Sequence, residues 1–139
     1  MQDRVGEIMG FTQEIRDAGF TDALLLGMGG SSLAPEVFRQ AFPARASSSS
    51  RALTLRVLDS TDPETLASFE AACDPAKTLH IVSSKSGTTV EPLRLFDHFY
   101  SRASRSLGGS AGKSFAAITD PGSFLERQGK ERGMRRVFL

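Results

Sequence analysis

Residues 83–92 read Ser83-Ser84-Lys85-Ser86-Gly87-Thr88-Thr89-Val90-Glu91-Pro92, so five hydroxyls and one lysine fall within positions 83–89. Hydroxyls donate to anionic oxygens without a fixed charge of their own, and the lysine adds one. The apolar run Leu79-His80-Ile81-Val82 before this stretch reads as a buried strand, and residues 93–100 after it read as a helix. The first turn of such a helix offers unpaired N–H groups and the positive end of its dipole, which suits an anion. Gly87 leaves the backbone free to bend between the two. Holding the phosphate of a small ligand is the chemistry this pattern fits. Turn formation and helix capping also use Ser and Thr. Five hydroxyls and a lysine exceed what one cap needs.

A second glycine-rich turn, Leu26-Gly27-Met28-Gly29-Gly30-Ser31-Ser32, invites a dinucleotide reading. That fingerprint wants glycine at its last position, where Ser32 stands, and an acid at the end of the second strand, which Asp59 could supply. A Walker loop fails, because Gly112-Lys113-Ser114 opens a strand and not a helix. Tight turning and close helix–strand packing explain the glycines equally well.

The remaining reactive side chains carry less. Cys73 is the only cysteine and sits at the end of a helix, which fits a small, half-buried group with no base beside it. His80 alternates with apolar residues in a strand, and His98 lies within a helix; neither belongs to a metal-binding spacing. No metal and no cofactor is expected. Among 139 residues, 17 basic side chains balance 16 acidic ones, which argues against a nucleic-acid partner. Lys130, Arg132, Arg135 and Arg136 cluster with Glu126 and Glu131 and read as a solvated helix end. No apolar run reaches the length of a membrane span, and the amino-terminal residues lack a secretory core. A cytoplasmic location is the expectation.

Taken in order, apolar spacing at Val5, Ile8, Met9, Phe11 and Ile15 gives one helix, with Gly19 as its stop. Strands follow at 22–27, 53–59, 79–82 and 114–118, and a fifth begins at 137. Helices are expected at 33–42 with Pro35 in the first turn, from Asp62-Pro63 through Phe69, from 93 to about 106, and at 124–130. Ser47 to Ser50 reads as a mobile low-complexity loop, and residues 108–112 as a flexible connector. Nearly all-apolar strands alternating with helices predict an α/β fold: a doubly wound, parallel five-stranded sheet with helices on both faces. Residues 1–20 form an N-terminal helix and residues 21–139 one domain. Ligands in such sheets bind beyond the carboxyl ends of the strands, where the turns at 28–32, 83–89 and 119–123 converge.

With these turns in view the chain resembles the sugar-isomerase (SIS) domain, and more narrowly the glucose-6-phosphate isomerase family. The SIS pattern Ser-x-Ser-Gly-x-Thr is matched by Ser84, Ser86, Gly87 and Thr89. The isomerase patterns appear as Gly27-Met28-Gly29-Gly30-Ser31-Ser32-Leu33-Ala34-Pro35 and Ser84-Lys85-Ser86-Gly87-Thr88-Thr89-Val90-Glu91, with Ala34, Ser86 (which keeps threonine's hydroxyl) and Gly87 as departures. The isomerase half of fused transaldolase–isomerase proteins is similar too. The resemblance implies a flavodoxin-like strand order. It implies that Ser84, Ser86 and Thr89 donate to a sugar phosphate, that Lys85 and Thr88 support the loop, and that Gly30 and Ser31 approach the sugar.

The implied reaction interconverts glucose 6-phosphate and fructose 6-phosphate through an enediol, with a glutamate as base, a histidine opening the ring, no metal, and a homodimeric protein. In the family, that glutamate, that histidine and a Gly-Gly-Arg segment lie downstream of the matched region, and neither Glu91 nor His98 is expected to replace them. The expectation is therefore a domain truncated near Arg135-Arg136-Val137-Phe138-Leu139, holding the phosphate half of the site and inactive alone. A non-catalytic SIS module that senses a phosphosugar is the alternative, and a nucleotide-binding Rossmann domain the third reading.

Overall fold

The computed structural model describes residues 2–42 and 53–139. Five parallel strands run in the order β2-β1-β3-β4-β5: β1 (Asp22–Gly27), β2 (Thr54–Leu58), β3 (Thr78–Ser83), β4 (Phe115–Ile118) and β5 (Arg136–Phe138). This is the expected doubly wound sheet in flavodoxin-like order. The chain leaves β1 for β2 on one side and returns to β3 on the other. The switch point therefore lies between the carboxyl ends of β1 and β3.

The helices are α1 (Gln2–Asp17), α2 (Gly30–Ala41), α3 (Pro63–Ala72), α4 (Val90–Leu107) and α5 (Phe124–Glu131). Residues of β3 alternate between the two faces, as pleating requires. Leu79 and Ile81 join Phe11 and Ile15 of α1 in one apolar cluster. His80 stacks on Phe115 at 4.6 Å and meets Phe99 of α4 on the other face. Leu95, Phe96, Phe99 and Ala103 recur at helical spacing along α4 and are all buried there with Leu24, Val82, Phe115 and Leu125. Asp62 caps α3 by accepting the Thr65 N–H at 2.9 Å, with Pro63 at the first helical position, as the sequence predicts.

Three expectations need correction. Helix α2 starts at Gly30 and not at residue 33, because Gly29 takes φ +55° and its carbonyl already accepts from the Ser32 and Leu33 N–H groups. Ser31 and Ser32 are thus helical, and Pro35 lies inside the helix, with no N–H to give to the Ser31 carbonyl. Residues 108–112 are not a loose connector. They enter a 3₁₀ helix, Gly108–Ser114, whose Ala111 and Gly112 are buried; a Cβ on Gly112 would stand 2.1 Å from the Arg132 carbonyl oxygen.

The basic cluster is more than a solvated helix end. Lys130 fits that description, but Arg135 bonds Glu14 at 2.8 Å and Arg136 reaches Glu7 and Glu14 at 3.5 and 3.8 Å. Arg132 bonds Asp97 at 2.8 Å and lies over the Phe96 and Tyr100 rings. The serine run Ser47 to Ser50 lies outside the described residues. No described helix is long and apolar enough to cross a membrane.

Candidate phosphate-binding site

Strand β3 delivers Ser84 to the sheet edge, where its N–H donates to the Ile118 carbonyl at 3.1 Å. The chain then turns: the Gly87 N–H donates back to the Ser84 carbonyl at 3.1 Å, and Gly87 itself has φ +66°. That conformation favours glycine, and space demands it as well. A Cβ at residue 87 would stand 2.7 Å from the Ser123 Cβ. Ser86 Oγ accepts from the Thr88 N–H at 3.3 Å and from its hydroxyl at 3.1 Å, so the tip of the turn is held by its own hydroxyls.

Thr89 occupies the N-cap position of α4, yet its side chain makes no capping hydrogen bond. Its Oγ1 instead accepts from Ser84 Oγ at 3.3 Å. The start of α4 therefore keeps N–H groups that its own cap leaves free, next to two side-chain hydroxyls. Capping alone does not account for these residues.

The following turn is fastened to this one. The Lys85 carbonyl accepts from the Asp120 N–H at 3.0 Å and from Thr119 Oγ1 at 3.4 Å. Thr119 Oγ1 also pairs with Ser123 Oγ at 2.8 Å, and Ser123 caps α5 by accepting the Glu126 N–H at 3.0 Å. These bonds spend backbone and buried hydroxyl groups. The Lys85 and Asp120 side chains stay exposed.

A cleft of about 290 Å³ opens at this edge, lined by Met28, Ser31, Ser83, Ser84, Lys85, Ser86, Thr89, Pro92 and Asp120. Five of the seven candidate positions thus share one cavity: Ser31, Ser84, Lys85, Ser86 and Thr89. Gly30 and Thr88 stand beside it without lining it. Ser83, one of the five hydroxyls of the stretch but not one of the seven, lines it too, as does Asp120, which was legible only through the turn at 119–123 that was expected at this edge. Glu91 is exposed in the first turn of α4, where the helix dipole accounts for an acid.

The other titratable groups lie elsewhere. His80 is buried, and burial pulls its imidazole down to about 4 despite the bond between Nδ1 and the Ser114 carbonyl. Burial likewise raises the Cys73 thiol above its ordinary value, which keeps it protonated. His98 pairs with Glu70 on α3, a carboxylate 28 positions away; that hydrogen bond first, and the Arg102 charge after it, hold the Glu70 carboxyl below its usual range. Among the described residues no group of three or more His, Cys, Asp or Glu side chains could hold a metal ion. Asp59 lines a different cavity with Glu36 and Arg39, and the buried Ser32 occupies the place of the fingerprint's third glycine. Neither arrangement serves a dinucleotide.

Known proteins share this sequence pattern and fold. The family model described as phosphoglucose isomerase matches residues 3–120. A glucose-6-phosphate isomerase from Synechococcus sp. is 31% identical over 99% of this chain and 27% of its own length, and one from Chlamydia trachomatis is 32% identical over 81% and 21%. The crystal structure of a Chlamydia trachomatis glucose-6-phosphate isomerase superposes with a TM-score of 0.77 at 29% identity, covering 96% of this chain and 25% of that one. The chain spans about a quarter of the length of these relatives. Matched by the family model over most of its residues, it belongs to the phosphoglucose isomerase family.

Proposed function

We propose that this chain supplies the sugar-phosphate-binding part of a glucose-6-phosphate isomerase. Ser84, Ser86 and Thr89 hold the phosphate together with the first N–H groups of α4. Lys85 and Thr88 support the loop, and Gly30 and Ser31 approach the sugar. Residues 21–139 form the binding unit, with α1 laid across one face of its sheet. The observation that carries this reading is the uncapped start of α4: Thr89 stands at the N-cap but spends its hydroxyl on Ser84.

Isomerisation of glucose 6-phosphate to fructose 6-phosphate moves a proton between C1 and C2. It needs a base within hydrogen-bond reach of the carbon acid. The cradle residues hold and orient; a lysine and hydroxyls around a phosphate do not make that base. Chemistry is assigned to the part of the family's fold beyond the quarter matched here, so these 139 residues alone bind sugar phosphates without turning them over. In the whole protein the site works in a cytoplasmic homodimer. A phosphosugar sensor would use the same cradle, and membership of an isomerase family is what favours the enzyme.

Calorimetry with glucose 6-phosphate and fructose 6-phosphate, beside a coupled isomerase assay, tests the reading. Saturable binding that is lost in a Ser84→Ala, Thr89→Val double variant is expected, with no turnover above background. Appreciable isomerase activity from these residues alone would contradict the assignment, and so would binding indifferent to both substitutions.

A further inference from the structure

The phosphate cleft does not end at the cradle. A larger cavity of about 790 Å³, between α1 and the carboxyl ends of β3, β4 and β5, adjoins it. The two share four residues: Ser31, Ser83, Lys85 and Asp120. The shared wall is polar throughout, with two hydroxyls, an ammonium and a carboxylate. Beyond it the lining is mostly apolar, with Ile81, Ile118 and Phe138 among the residues, and Arg4, Glu7 and Thr119 as its polar members. A ligand anchored by its phosphate in the smaller cavity passes the four shared side chains wherever it extends into the larger one.

Asp120 differs from its three neighbours. It is the only acid lining the phosphate cleft among the described residues. A carboxylate beside an anion site opposes a second negative charge, so it gains nothing from the phosphate. Its position is nevertheless fixed by bonds that use main-chain atoms: its N–H donates to the Lys85 carbonyl at 3.0 Å, and its carbonyl accepts the Ser123 N–H at 3.3 Å. The carboxylate is left exposed at the cleft wall. An acceptor held one step from a phosphate cradle is matched by a hydroxyl on the carbon chain that carries the phosphate.

We propose that Asp120 is a specificity-determining residue, which accepts a hydrogen bond from a hydroxyl of the bound phosphate ester and so selects polyhydroxylated esters over bare phosphate and over esters lacking hydroxyls. This rests on the phosphate-cradle reading above and adds the rule by which the site tells one phosphate compound from another. The repulsion and the hydrogen bond act in opposite directions on the two ligand classes, which makes the assignment testable by a ratio.

Affinities of inorganic phosphate, ethyl phosphate and glucose 6-phosphate are compared in the unsubstituted chain, Asp120→Asn and Asp120→Ala. The expected result is that glucose 6-phosphate weakens about tenfold in Asp120→Ala, the size of a lost charge-assisted hydrogen bond, and by less in Asp120→Asn, whose amide oxygen still accepts without the charge. Inorganic phosphate and ethyl phosphate hold or tighten. Both variants keep the main-chain bonds at residue 120, and their thermal midpoints are expected to match the parent, so the ratio reads recognition and not folding. Equal changes for all three ligands, or a preference for glucose 6-phosphate that survives both substitutions, would overturn the role of Asp120 and leave the cradle standing. Failure of the unsubstituted chain to bind any of the three would overturn the cradle and this inference with it.

Discussion

Burial of His80 has a measurable consequence in acid. The ring packs between Phe115 and Phe99 and stays neutral, with its pKa lowered to about 4, whereas an unfolded histidine titrates near 6.5. Between those values the unfolded chain binds a proton that the folded chain refuses, so stability falls as pH drops from about 6.5 to about 4. From pH 7 to pH 5 the loss from this one group is about 2 kcal/mol. Urea unfolding of the parent and of His80→Gln at the two pH values checks it: the difference between them should shrink by that amount at pH 5, and a constant difference would contradict it. At the cradle, Lys85→Met removes one charge from an exposed position, and a loss of sugar-phosphate affinity of about three- to tenfold is expected by calorimetry. The candidate site residues stand out in the sequence because hydroxyls, lysine and glycine crowd between an apolar strand and a helix. Asp120 does not, because nothing in its local sequence separates a turn former from a ligand contact. Its significance comes from the Lys85 carbonyl 35 positions away.

The elements carry the site by being fastened to each other. The turn after β3 and the turn after β4 meet at Gly87, where any Cβ would enter the space of Ser123. Gly87→Ala combines a positive φ with a 2.7 Å approach, and a destabilisation of about 2 kcal/mol is expected in urea, with sugar-phosphate affinity reduced as the cradle shifts. An unchanged unfolding midpoint would show that the two turns are not packed as described. Strands and most helices could be read from the sequence, since each strand is a short apolar run and α3 opens on Asp62-Pro63. The start of α2 could not. Ser31 and Ser32 look like turn formers, and only the φ +55° of Gly29 lets the helix begin before them. The glycines at 108–112 misled for a similar reason: composition there signals flexibility, while the fold uses Gly112 for close approach to the Arg132 carbonyl.

At the scale of the whole molecule, α1 is held to the sheet by two buried side chains and a set of ion pairs. Phe11 and Ile15 are its buried side chains, and Val5, Ile8 and Met9 are exposed. Ion pairs from Glu7 and Glu14 to Arg135 and Arg136 complete its attachment to β5. Partly exposed pairs of this kind contribute below about 1 kcal/mol each and are screened by salt. Hydrogen exchange should therefore show α1 amides losing protection in Glu14→Gln, and in the parent at high salt, while the amides of β1 and β3 keep theirs. These pairings were invisible in the sequence, because Glu14 and Arg135 stand 121 positions apart.

If the turn after β3 and the uncapped start of α4 bind the phosphate of a sugar phosphate, their backbone amides must respond to the ligand. The most direct measurement is a titration of the isotope-labelled chain with fructose 6-phosphate, following backbone amide resonances by NMR. Saturable shifts centred on residues 84–91 and on Ser31, reproduced in part by inorganic phosphate, are the expected result. Shifts absent from this turn, or centred on the cavity of Asp59 and Arg39, would contradict it.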